Sequence, residues 1–95
     1  MDEKKQEIKL KINDSELRGT YANQVAIMHS KYDFVVDFIS MFPPEAIVNS
    51  RIIMTPSSMK RIFNAMGMNL KKYEDQYGII EIDEDMNNGF TGKVN

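Results

Sequence analysis

Apolar and polar residues alternate in four stretches of the chain and then switch to a spacing of three and four. Ile8, Leu10 and Ile12 alternate with Lys9 and Lys11, the period-two signature of a strand with one wet face. Asn13-Asp14-Ser15 breaks the pattern, and Gly19 falls in the connection to the next stretch. Over residues 21–29, Tyr21, Asn23, Val25, Ile27 and His29 share one face and Ala22, Gln24, Ala26 and Met28 the other. Ser30-Lys31 is short enough for a hairpin turn. Residues 32–41 align Tyr32, Phe34, Val36 and Phe38, while Val35 and Ile39 point the other way beside Asp33 and Asp37.

Pro43-Pro44 ends that stretch, since neither residue donates a ladder hydrogen bond. Residues 46–55 then place Ala46, Val48, Ser50, Ile52 and Met54 against Ile47, Asn49, Arg51 and Ile53. Successive strands with short connections predict a four-stranded antiparallel meander. A long helix follows. Thr55 is a capping residue, Pro56 suits the first helical position, and Gly78 a left-handed end with Ile79 free to fold back. Between them Met59, Ile62, Phe63, Met66, Leu70, Tyr73 and Tyr77 form one apolar stripe, opposite Lys60, Arg61, Asn64, Lys71 and Lys72. Gly67 interrupts the helix at a cost of about 1 kcal/mol relative to alanine. The expected architecture is α+β: four strands, then one C-terminal helix packed on one sheet face.

Length narrows this to one small domain. Of 95 residues, 1–6 and 81–95 read as polar and acidic tails, leaving 7–80 as the folded unit. One helix covers only one face of the sheet, yet the third and fourth stretches are apolar on both. A second face bearing Val35, Ile39, Ile47 and Ile53 would stay wet, which a small monomer does not ordinarily tolerate. The pattern therefore predicts a homo-oligomer, a dimer or a dimer of dimers. Eight methionines suit either core filling or an adaptable apolar surface for a protein client.

Composition removes chemistries. The chain has no cysteine and one histidine, which excludes disulfides, thiolate nucleophiles and Cys-ligated zinc and leaves no His-rich metal site. Net charge is -2, so attraction to nucleic acid or anionic membrane is not expected from the bulk. No apolar run reaches the ~18 residues of a membrane span, and Met1-Asp2-Glu3-Lys4-Lys5 opens no signal peptide, so a cytoplasmic location is expected.

No catalytic, cofactor or metal site emerges. His29, Asp33 and Asp37 are the one grouping with acid–base character, and two of them lie ~13 Å apart along a strand. Asp83-Glu84-Asp85-Met86-Asn87-Asn88-Gly89 lacks the spacing and closing glutamate of a calcium loop. No glycine-rich phosphate loop exists. Lys60, Arg61, Lys71 and Lys72 form the one basic patch, its halves eleven residues apart and so on nearly one side of the helix. That side would suit a phosphate backbone, but no aromatic residue interleaves with it.

Gly19-Thr20-Tyr21-Ala22-Asn23, then His29-Ser30, Asp33-Phe34-Val35-Val36-Asp37-Phe38 and Pro43-Pro44 follow one another in the first half. Ser50-Arg51-Ile52-Ile53-Met54-Thr55-Pro56, then Asn69-Leu70-Lys71-Lys72-Tyr73-Glu74 and Tyr77-Gly78, complete the order. This set resembles the small bacterial proteins grouped as domain of unknown function 3467, over roughly residues 8–80. Ser57-Ser58 stands where that pattern leads one to expect an acid after the proline. The resemblance implies no activity and carries over no functional residue. More remotely, four antiparallel strands followed by a long helix are similar to the layout of the secretion chaperone SecB, a fold-level analogy alone. The expected function is a non-enzymatic oligomeric binding or scaffold module. The alternatives are a SecB-like binder of unfolded apolar segments and a nucleic-acid-associated protein using the basic helix face.

Overall fold

The computed structural model describes residues 6–83. The expected N-terminal tail up to residue 5 and the acidic stretch from Glu84 onward, with the loop ending at Gly89, lie outside the described residues.

Strands β1 (Gln24–His29), β2 (Phe34–Phe42) and β3 (Glu45–Met54) form one antiparallel sheet in the order β1-β2-β3, and helix α1 (Pro56–Tyr77) follows. The class is α+β, a meander then a C-terminal helix, with three strands among the described residues where the alternation predicted four. Residues 8–12 join no ladder. Alternation decides which way side chains would point, but a strand needs a neighbour for its backbone N–H and C=O groups, and this segment has none among the described residues. A short 3-10 turn, Asp14–Glu16, follows it.

The strand limits have local causes. β1 starts at Gln24 rather than Tyr21: one backbone bond, from the Asn23 N–H to the Ile39 carbonyl (2.9 Å), and side-chain bonds hold the preceding residues. Asn23 donates from Nδ2 to the Met41 carbonyl (3.0 Å) and accepts from the Met41 N–H (2.8 Å), and Ser40 Oγ donates to the Tyr21 carbonyl (2.7 Å). β2 starts at Phe34 rather than Tyr32 because residues 30–33 form the turn. The Ser30 N–H donates to the Asp33 carbonyl (2.9 Å), and Ser30 Oγ accepts from the N–H groups of Tyr32 and Asp33 (3.2 and 3.3 Å). Pro43-Pro44, joined by a cis bond, makes a two-residue connection between β2 and β3.

The β2–β3 register shifts by one residue between Phe38 and Ile39. Phe38 pairs with Ser50 and Ile39 with Val48, so Asn49 is the extra residue of a β-bulge. Its Nδ2 donates to the Tyr21 carbonyl (2.8 Å) and to Ser40 Oγ. A one-residue slip moves every later side chain to the opposite face. Strict alternation would group Ile47 with Arg51 and Ile53; the bulge separates them. Ile47 pairs with Ser40, on the same side as Phe38 and Val36.

Helix α1 has the ends that the pattern predicts. Thr55 Oγ1 accepts from the Ser58 N–H (3.1 Å), Pro56 occupies the first turn, and the Gly78 N–H donates to the Glu74 carbonyl (2.9 Å). Gly78 has φ 103°, a region that disfavours any residue with a Cβ. The residue that returns to the helix is Ile80 rather than Ile79. The Ile80 N–H donates to Glu74 Oε2 (3.0 Å), and Ile80 shares an apolar groove with Met66, Leu70 and Tyr73.

Burial concentrates on the central strand. Val36 and Ile39 are the buried apolar side chains among the described residues, one on each face of β2. Helix α1 contributes no buried residue. It lies along one face of the sheet without closing onto it.

Candidate functional site

The first half of α1 and the sheet face below it bound an apolar cleft. Val25, Ile27, Val36, Phe38 and Met54 form its floor, and Met59, Ile62, Phe63 and Met66 its helical wall. The strand register explains the floor, since Val25 pairs with Phe38, Ile27 with Val36, and Phe34 with Met54. The 3.6-residue period explains the wall. The cleft measures ≈ 190 Å³, smaller than most small-molecule sites. Three of its nine lining side chains are methionines, which adapt their shape to what they touch. From the cleft the apolar stripe runs on to Leu70, Tyr73 and Tyr77, with the last two rings 4.9 Å apart. Along the stripe from Ile62 to Tyr77 the side chains are between 38% and 69% exposed.

The opposite sheet face carries an ion pair. Arg51 Nε donates to Asp37 Oδ1 (2.7 Å) and Nη2 to Oδ2 (2.8 Å), a fork-to-fork arrangement. The Asp37 side chain is 0% exposed and that of Arg51 49%. The hydrogen bonds from Arg51 hold the Asp37 carboxyl below its ordinary value of 3.8, against the burial that pushes it up. The same bonds raise Arg51. The guanidinium thus lies at the surface of a face that also carries Gln24, Ala26, Met28, Val35, Ile39, Val48 and Ile53.

The sequence-derived candidates fall in different places. Val35, Ile39 and Ile53 share the face with Arg51, whereas Ile47 lies on the helix side because of the bulge. Ile39 is buried and belongs to the core; Val35 is half-buried and Ile53 exposed. His29, Asp33 and Asp37 are not brought together. His29 pairs with Phe34, its ring 5.5 Å from the phenyl, and faces the helix side. Asp33 closes the turn, and Asp37 is held by Arg51 across the sheet. Lys60, Arg61, Lys71 and Lys72 are all exposed, but two have local partners. Arg61 donates to Ser57 Oγ and Ser58 Oγ (3.1 and 3.3 Å), and Lys71 lies 3.4 Å from Asp75 one turn on. Among the described residues no group of three or more His, Asp or Glu is placed to hold a metal ion. No described helix is long and apolar enough to cross a membrane.

The pairing of Asp37 with Arg51 escapes a reading of the sequence. Counting back from the Pro43-Pro44 turn puts Ser50 opposite Asp37, and only the extra residue at Asn49 moves Arg51 there. The signal available was the pair of charges at matching depth in two adjacent apolar stretches.

These elements define a small α+β class: a three-stranded meander, capped at its end by a long amphipathic helix that leaves its apolar stripe uncovered. Residues 1–82 match the family model described as protein of unknown function (DUF3467), and the chain belongs to that family. No curated protein and no solved structure matches it, so the likeness to SecB rests on element order alone, and with one strand fewer.

Proposed function

We propose that this chain is a non-enzymatic, self-associating binding module that works through its uncovered apolar surfaces. The observation that carries the reading is a helix of 22 residues with a continuous apolar stripe and no buried residue. Among the described residues, two buried apolar side chains make a small core for a domain of this length. Aromatic side chains cover on the order of 150–250 Å² each when fully buried. Phe63, Tyr73 and Tyr77, half or more exposed, therefore offer about 300–450 Å², to which the exposed parts of Ile62, Met66 and Leu70 add. A stable interface takes ~800 Å² per partner, which Ile27 and Ile52 on the same side bring within reach. The partner with a matching surface is another copy of the chain, related by a two-fold axis.

Sedimentation velocity or light scattering at micromolar concentration tests this. A dimer or a dimer of dimers is the expected mass; a folded chain with the mass of a monomer overturns the reading.

A second reading has its own observation. The methionine-lined cleft suits varied apolar segments of a protein client, as adaptable binding surfaces do. It predicts that the chain suppresses aggregation of an unfolded protein at stoichiometric ratio. No suppression with several unrelated clients counts against it.

A further inference from the structure

We propose that two copies of the chain pair through antiparallel α1 helices, Tyr73 of each copy seated in the cleft of the other and Lys60 of each opposite Glu74 of the other. This rests on the self-association argued above and adds its direction and register.

The stripe on α1 has a tighter order than amphipathicity requires. Met59, Phe63, Met66, Leu70, Tyr73 and Tyr77 follow one another at steps of four, three, four, three and four. That is the heptad spacing at which two helices interlock, each apolar knob of one entering a hole between four residues of the other. Neighbours on a helix surface lie three and four apart, so a hole has its corners at i, i+3, i+4 and i+7. Both apolar grooves of α1 have that outline. Met59, Ile62, Phe63 and Met66 wall the cleft, and Met66, Asn69, Leu70 and Tyr73 line the second groove with Ile80 at its side. Phe63, Met66 and Leu70, at the corners of these holes, are 69%, 53% and 55% exposed, open to the knobs of a facing helix.

Charge sets the direction. Lys60 and Glu74 follow Met59 and Tyr73 by one residue and so flank the seam on one side, while Ile62 and Asn69 flank it on the other. Flanking charges choose the orientation of paired helices. In a parallel pair the Lys60 flank faces the Ile62 flank, and no ion pair forms. In an antiparallel pair each flank faces its own kind in reverse, and Lys60 meets Glu74 of the second copy twice over. Glu74 Oε2 takes the Ile80 N–H, which leaves Oε1 for the lysine. The helix ends agree with this. α1 has no acid in its first turn and no base in its last, so those turns lack side-chain compensation for the dipole, and an antiparallel neighbour lays the opposite end beside each.

Register follows from the same pairs. With Lys60 opposite Glu74, Phe63 faces Tyr73, Met66 faces Leu70 and Met59 faces Tyr77, so every seam residue is used. Tyr73 of the second copy enters the hole over the sheet floor of Val36 and Phe38, and its Met66 enters the second groove. The second copy thereby supplies the packing that α1 lacks in its own chain, where it buries no residue.

Lys60 and Glu74 of one chain are about 21 Å apart along the helix, so coupling between them reports contact across copies. Lys60→Glu and Glu74→Lys each place like charges together at both sites. Each variant alone should dissociate roughly tenfold more readily at low salt. Mixed one to one, the two variants should regain the affinity of the native chain, because every flanking pair in the mixed dimer is again glutamate with lysine. Sedimentation of each variant and of the mixture reads this. A mixture no tighter than its parts overturns the antiparallel register and leaves self-association standing; a native chain of monomeric mass overturns both. The absence of native cysteine allows a readout that does not depend on charge. A short bismaleimide should join Lys60→Cys chains to Glu74→Cys chains and not Lys60→Cys chains to each other. The reverse result shows a parallel pair and overturns the proposal.

Discussion

Arg51 grips Asp37 through two parallel hydrogen bonds of 2.7 and 2.8 Å, from the middle of one strand to the middle of its neighbour. The carboxylate is fully covered while the guanidinium keeps half its surface in water. A buried carboxylate is tolerated only when both oxygens are satisfied, and here one side chain satisfies them. The pair marks the centre of β2, where the small core is anchored.

Removing one member leaves the other without its partner, whereas replacing both by apolar residues of similar size removes the requirement. Asp37→Leu should lower Tm more than the double variant Asp37→Leu with Arg51→Met. Thermal unfolding of the two singles and the double completes the cycle; additive losses would show that the two residues do not act as a pair.

The depressed carboxyl of Asp37 sets an acid limit. Its folded value lies below the ordinary 3.8, so the folded state holds the charged form more tightly than the unfolded chain does. The stabilisation is fully present above about pH 5 and is lost as pH falls through the folded value. Unfolding midpoints between pH 3 and pH 7 should fall steeply at the acid end for the native chain. Asp37→Asn should flatten that end, and an unchanged acid limb would refute the assignment.

Asn49 holds the bulge by donating to the Tyr21 carbonyl and to Ser40 Oγ. Asn49→Ala removes both bonds and should cost about 1 kcal/mol. Urea unfolding reads this as a lower midpoint at unchanged slope.

Gly67 lies inside α1, and a Cβ added there meets nothing within 4 Å. Gly67→Ala should stabilise the chain by about 1 kcal/mol through helix propensity alone. A loss of stability in the associated form would show that another copy packs against this flank of the helix.

Phe63 lies on the apolar stripe and is 69% exposed. Phe63→Asp should leave the circular dichroism of the fold intact and weaken self-association by roughly tenfold or more, given ~1.5–3 kcal/mol for burying such a side chain. Sedimentation across a dilution series measures it. An unshifted dissociation constant would remove the stripe from the interface.

Some of this architecture follows from local chemistry and was readable from residue order. Thr55, Pro56 and Gly78 set the helix ends, the stripe from Met59 to Tyr77 sets its apolar side, and Pro43-Pro44 sets the turn, because each acts on neighbours within a few positions. Ladder membership is different. The alternation at Ile8, Leu10 and Ile12 is as regular as that at Val25 and Ile27, yet only the latter found a neighbouring strand. The side chains that hold Tyr21 and Asn23 to Ser40, Met41 and Asn49 reach across 18 to 28 residues, and that distance is invisible to periodicity. They fix the bulge, the bulge flips Ile47 away from Ile53, and the same one-residue step carries Arg51 onto the face of Asp37. Residue order alone specifies a helix, a hairpin series and an excess of apolar surface. Which residues meet across the sheet was decided by tertiary structure, because register is a property of two strands and a single extra residue resets it.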